Sequence, residues 1–131
     1  MNQRAVDISK EHAIETYKSM ISIAMEGLKL LALLNGGSAV ALLAYLGNVA
    51  GKSAHGIDMR LPMFCYVAGL VFCGLAYFVS YLTQLRLFNE SLGRVAASPP
   101  HTRLLYSAMI LDLLSLAAFA AGSVIAAYRF T

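Results

Sequence analysis

Residues 28–49 read LKLLALLNGGSAVALLAYLGNV, a run whose one charged residue, Lys29, sits at its edge. A helix needs roughly 20 mostly apolar residues to cross about 30 Å of hydrocarbon. In that solvent the backbone has to be helical, because lipid offers its N–H and C=O groups no partners. Two more stretches repeat the pattern. One is PMFCYVAGLVFCGLAYFVSYLTQL at 62–85, rich in aromatics, and the other is LLYSAMILDLLSLAAFAAGSVIAAY at 104–128. The expected fold is therefore an all-α integral membrane protein with three transmembrane helices, at 28–50, 62–85 and 104–128.

Composition agrees. Of 131 residues, 59% are hydrophobic and 13% charged, against about 45–50% and about 25% in ordinary soluble domains. A soluble domain of this size leaves much of its surface wet and could not hide the excess. The net charge of +3 does not point to nucleic acid, because no Lys/Arg cluster with interleaved aromatics accompanies it. Cys65 and Cys73 are eight positions apart on one helix, about 12 Å, too far for a mutual disulfide.

The basic residues flank the spans unevenly. Arg4, Lys10 and Lys18 precede the first span, with Lys29 at its edge, and Arg86, Arg94 and Arg103 lie around the connection at 96–103. The connection at 51–61 has Lys52 and Arg60, and the C-terminus has Arg129. By the positive-inside rule the N-terminus and the second connection are cytoplasmic and the C-terminus external, in a bacterial-type inner membrane. The first twenty residues are too polar for a cleavable signal peptide, so the first span is expected to act as an uncleaved anchor. Pro62 suits the first turn of the second helix. That helix should continue to about residue 95, before Ser98-Pro99-Pro100 ends it.

Ahead of the first span, Ile14, Tyr17, Ile21 and Ala24 recur at spacings of three and four, the period of a helix–helix seam. The same phase continues through Leu28 and Leu31 to Asn35, Ser38, Leu42 and Tyr45. No Pro or Gly interrupts residues 5–26. Residues 1–27 are thus expected to form a cytoplasmic amphipathic helix continuous with the first span. A helix from about residue 5 to 49 would be roughly 67 Å long.

Polar residues inside the spans are expensive and normally face the bundle interior. Asp112 lies about eight residues into the third span and Asn35 about seven into the first. With both spans entering from one side, the two sit at similar depth. Counting back from Leu85 on the antiparallel second span brings Tyr77, Ser80 and Tyr81 to that depth, with Ser115 one turn beyond Asp112. A polar layer of Asn35, Ser38, Tyr77, Ser80, Tyr81, Asp112 and Ser115 is therefore expected. It would fix helix register or, in an assembly, line a pore. Small residues at i, i+4 spacing allow close helix approach: Gly36, Gly37 and Ala41 on the first span, Cys65, Gly69 and Cys73 on the second, Ala118, Gly122 and Ala126 on the third. Three such sets exceed what one small bundle needs, and the surplus points to oligomerisation.

Residues 47–53, GNVAGKS, imitate a phosphate loop. They have three residues between the glycines where four are required, and a membrane helix where a strand should precede. Asn89-Glu90-Ser91 matches a glycosylation sequon but falls on the expected cytoplasmic side. His12, His55 and His101 lie in three different segments, so no converging metal or haem ligands are expected. His101 with Asp112 resembles the His/Asp arrangement in the three-span anchors of succinate dehydrogenase, whose other features are missing here, and Ser98-Pro99-Pro100 places His101 in a loop. The layout resembles the small three-span inner-membrane proteins of bacteria in shape alone. It shares only its span count with class I holins. No catalytic set can converge, so no enzyme activity and no cofactor are expected. Two roles fit these residues: a homo-oligomeric, pore-forming or membrane-perturbing protein, or a non-catalytic accessory subunit of a larger membrane complex. The expected partners are membrane lipid and further protein chains.

Overall fold

The computed structural model of the chain describes residues 3–49, 58–92 and 101–130. Three helices account for nearly all of them: α1 (Gln3–Val49), α2 (Arg60–Ser91) and α3 (His101–Phe130). At 1.5 Å per residue they measure roughly 70, 48 and 45 Å. Each is long and apolar enough to cross a bilayer, and the chain has the three-helix architecture of a multi-pass membrane protein.

Helix α1 is unbroken through Gly36-Gly37. In water each glycine would cost about 1 kcal/mol of helix stability relative to Ala. In hydrocarbon every non-helical alternative strands backbone hydrogen-bonding groups, so the helix persists. Pro62 falls in the first turn of α2, where its missing N–H had no intrahelical partner in any case. The start of α2 is held by Asp58, whose Oδ1 accepts from the Arg60 N–H at 3.0 Å. Its far end closes with the Leu92 N–H donating to the Phe88 carbonyl at 3.2 Å. His101 opens α3 rather than lying in a loop; a Pro-Pro pair just before a helix is compatible with immediate initiation. The phosphate-loop look-alike beyond Val49, His55, and the expected stop at 98–100 lie outside the described residues, as does the last part of the expected continuation of α2.

Helices α2 and α3 pack most closely, and α1 lies chiefly against α2. Most large apolar side chains point outward, Leu33 and Phe64 among them, at 72% and 71% exposure. That is sensible only in lipid, where no hydrophobic force drives the helices together and association rests on close packing and interhelical hydrogen bonds. Two small buried clusters serve as cores. One joins Ala39, Leu42, Met59 and Tyr66, with Tyr45, Met63 and Phe119 against it. The other joins Leu28, Cys73 and Ala76, flanked by Met25, Leu31 and Leu111. At the Phe130 end the helices are tied. Arg129 Nη1 donates to the Asp58 carbonyl at 2.7 Å, and the Tyr45 and Phe130 rings meet edge-on at 5.1 Å.

The register between α1 and α2 corrects the depth count. Tyr17 meets Gln84, Leu28 meets Cys73 and Asn35 meets Gly69. Leu28 is therefore level with the middle of the second span and not with Leu85. Residues 17–28 of α1 run beside the final stretch of that span.

Candidate functional site

The centre of the bundle is a polar junction between the two apolar clusters. Asn35 and Ser115 are both 0% exposed. Asn35 Nδ2 donates to the Ser115 Oγ at 3.2 Å and lies 3.4 Å from the Ser115 carbonyl. It also donates to the Leu31 carbonyl of its own helix at 3.1 Å. Ser115 Oγ passes its own proton across to the Gly69 carbonyl at 2.8 Å. One amide and one hydroxyl thus connect all three helices.

Glycine at 69 makes this possible. A Cβ there would collide with the Asn35 Oδ1, and would come within 2.8 Å of its Nδ2. The amide occupies the space a side chain would take. Asn35 Oδ1 faces this glycine and is buried without a hydrogen-bond donor, as is Asp112 Oδ1 one turn from Ser115. Chemically the junction can set register and hold the helices in phase. Asn35 and Ser115 are sealed from solvent, so one copy holds no open path through this layer.

Other members of the expected layer lie elsewhere. Tyr77 and Tyr81 are 57% and 59% exposed, facing outward two to three turns from Gly69. Ser80 sits with them, half-buried in a groove described below. The count from Leu85 assumed level span ends. The register is set instead by Asn35, which can dock only where α2 carries glycine. Ser38 is half-buried one turn on from Asn35. Two polar residues absent from the expected layer take structural positions. The Tyr66 hydroxyl donates to Ser123 Oγ at 3.3 Å. Thr83 is buried with its hydroxyl turned back to the Val79 carbonyl at 2.9 Å. Both are polar residues within spans, the signal that singled out Asn35.

The small residues divide between inside and outside. On α2, Gly69 meets Asn35, and Cys73 donates through Sγ to the Leu28 carbonyl at 3.3 Å. On α3, Gly122 is buried against Tyr66 and Cys65, and Ala118 and Ala126 are half-buried. On α1, Gly36 approaches Leu70, whereas Gly37 and Ala41 face outward and nothing lies within 4 Å of where a Gly37 Cβ would be. Two substitutions separate these environments. Gly122→Ala places a methyl 2.9 Å from the Tyr66 ring and 3.1 Å from Cys65 Cβ, and should cost about 1–3 kcal/mol by overpacking. Gly36→Ala meets Leu70 at an ordinary 3.7 Å and should be neutral or slightly stabilising. Reversible unfolding in mixed micelles would measure both.

The seam ahead of the first span is largely open. Ile14 is 55% exposed, Tyr17 and Ala24 are exposed and Ile21 is half-buried. Tyr17, Ile21 and Ala24 form one wall of an apolar groove of about 550 Å³. Its other wall is α2 from Tyr77 to Leu87, and Leu105 of α3 also reaches it. The polar contact bridging the walls is long, the Tyr17 hydroxyl standing 3.4 Å from Gln84 Nε2 and 3.5 Å from its Oε1. Among the described residues no group of three or more His, Cys, Asp or Glu side chains could hold a metal ion. Comparison with protein-family models, curated proteins and solved structures finds no match for this chain.

Proposed function

We propose that the chain is a non-catalytic inner-membrane protein of bacterial type, N-terminus cytoplasmic and C-terminus external, whose function arises when copies assemble through helix faces. The observation that carries this reading is the contrast between inner and outer small residues. Gly69 and Gly122 are used within the bundle, whereas Gly37 and Ala41 present an i, i+4 small surface to the outside of α1. Such a surface lets a second helix backbone approach closely in lipid. With the Asn35–Ser115 layer closed in one copy, a pore or a zone of perturbed bilayer would form between copies.

The test is the mass and symmetry of the purified protein. A closed ring supports the assembly reading, and Gly37→Leu with Ala41→Leu should reduce the ring to monomers while leaving the fold intact, since both positions face outward. Survival of the ring in that variant would place the interface elsewhere. A monomer in the wild type would sink this reading and favour the second one, an accessory subunit of a larger complex. The exposed apolar residues ahead of the first span, Ile14, Met20 and Ile23 among them, favour that second reading. Orientation is tested separately: a cysteine introduced at position 54 should react with an impermeant thiol reagent added from outside.

A further inference from the structure

We propose that the groove between the N-terminal half of α1 and the end of α2 is a binding site for one anionic phospholipid. Its acyl chain would lie along Ile21, Ala24, Leu28 and Leu87, and its phosphate at the level of Lys18 and Arg86. The groove runs from Leu28 and Tyr77 at one end to Tyr17 and Gln84 at the other. The interhelical register puts this stretch beside the last part of the second span, so the groove opens at bilayer depth. Lipid there is at solvent concentration, and a site open to its solvent fills by mass action. A volume of about 550 Å³ is within the range of single-ligand sites, roughly 300–1,000 Å³. The lining is apolar except for five hydroxyls and one amide. Three tyrosines (Tyr17, Tyr77, Tyr81) stand along it, a residue type that settles where acyl chains meet headgroups.

Charge selects the headgroup. Lys18 shares a face of α1 with Ile21 and Met25, and Arg86 shares a face of α2 with Thr83; all three of those neighbours line the groove. Both cations are exposed, and among the described residues neither is in an ion pair. Neither cation lines the groove itself, but each stands one helical turn from a residue that does, one on α1 and one on α2, and the pair is complementary to a phosphate at the Tyr17–Gln84 end. Basic pockets between transmembrane helices on the cytoplasmic side attract anionic headgroups in this way. The choice of an anionic lipid rests on the cytoplasmic orientation proposed above, whereas occupation of the groove by an acyl chain does not.

The full-length protein, purified in detergent and equilibrated with an equal mixture of phosphatidylglycerol and phosphatidylcholine, would be examined by native mass spectrometry. One phosphatidylglycerol per chain should be retained, with a preference of roughly thirtyfold. Lys18→Gln with Arg86→Gln, both on exposed positions, should keep a bound lipid but bring the preference near parity. Ala24→Trp fills the groove and should abolish retention without changing the oligomer mass; Ile21→Phe on the same wall does so more conservatively. Phosphatidylglycerol retained in both groove-filling variants would make the lipid merely annular and overturn the site. Equal retention of the two lipids by the wild type would overturn the headgroup assignment. A drop in oligomer mass on filling the groove would show that a second copy occupies it and would also refute the proposal. Failure of the assembly reading is seen apart from this, as a monomeric wild-type mass that still retains the lipid.

Discussion

Gly69→Ala is expected to destabilise the bundle by about 2–4 kcal/mol, the largest effect of any single methyl group in the protein. The added carbon lands on the Asn35 amide, and the backbone of α2 cannot retreat because Ser115 holds the Gly69 carbonyl from the other side. Overpacking of this kind costs about 1–3 kcal/mol. Expelling the amide adds the loss of its bonds to Ser115, worth about 0.6–2 kcal/mol inside a membrane. Denaturant titration in mixed micelles measures the sum. A double-mutant cycle identifies its origin, since Asn35→Ala removes the group with which the methyl collides. Gly69→Ala should then be close to neutral in the Asn35→Ala background, giving a coupling energy above about 1 kcal/mol. Additive effects, or a Gly69→Ala protein as stable as wild type, would show that this junction does not hold the helices together.

The consequence would fall mainly on α1. That helix touches α3 sparingly and is fastened largely through α2. Between the Leu28–Cys73–Ala76 cluster and the Leu42–Met59–Tyr66 cluster, the Asn35 junction is its midpoint anchor. Freeing it would let α1 slide by a turn, which shifts the depth of Gly37 and Ala41 and opens or closes the groove at Tyr17–Gln84. Stability, assembly and lipid occupancy should therefore change together in this variant, whereas the surface substitutions at Gly37, Lys18 and Arg86 change one property each.

Which helices form, and that they span a membrane, was legible because lipid imposes one rule on every backbone group. The importance of Asn35 and Ser115 was legible for the same reason: a polar side chain in a span needs a partner. Interhelical register was not. Periodicity says which residues share a face of one helix, but the depth at which two helices meet is decided by a few contacts. Here the deciding contact is an amide seated on a glycine. Gly69 is recognisable in the sequence as a small packing residue, but its specific partner is not, and Tyr77 and Tyr81, expected in the polar layer, do not join it. The seam at Tyr17, Ile21 and Ala24 could be read from spacing alone. That α2 approaches it without closing over it could not, because the width of a groove depends on the angle at which two helices leave their common anchor.

Asp112→Leu should fold at least as well as wild type, and its stability is expected to rise by about 1–3 kcal/mol. From sequence alone the opposite sign is expected, a cost of about 1–2 kcal/mol through partners left unpaired. The structure removes the basis for that cost. Asp112 Oδ1 is buried with no donor, and the bonds of Asn35 Nδ2 to Ser115 and of Ser115 Oγ to Gly69 are made without it. A buried acceptor with no partner is itself the penalty, and an apolar side chain of similar size relieves it. Asp112→Asn, which keeps the polar shape, should be tolerated. Loss of stability on Asp112→Leu, measured by the same unfolding assay, would mean that the carboxyl group holds the helices together after all. A protein that is more stable yet loses its assembled activity, scored as ion flux across vesicles or as ring formation, would show that the acid is kept for function at the expense of the fold. A destabilising intramembrane carboxyl is retained for a reason other than packing, and in an assembly of copies Asp112 is the group that could face the space between them.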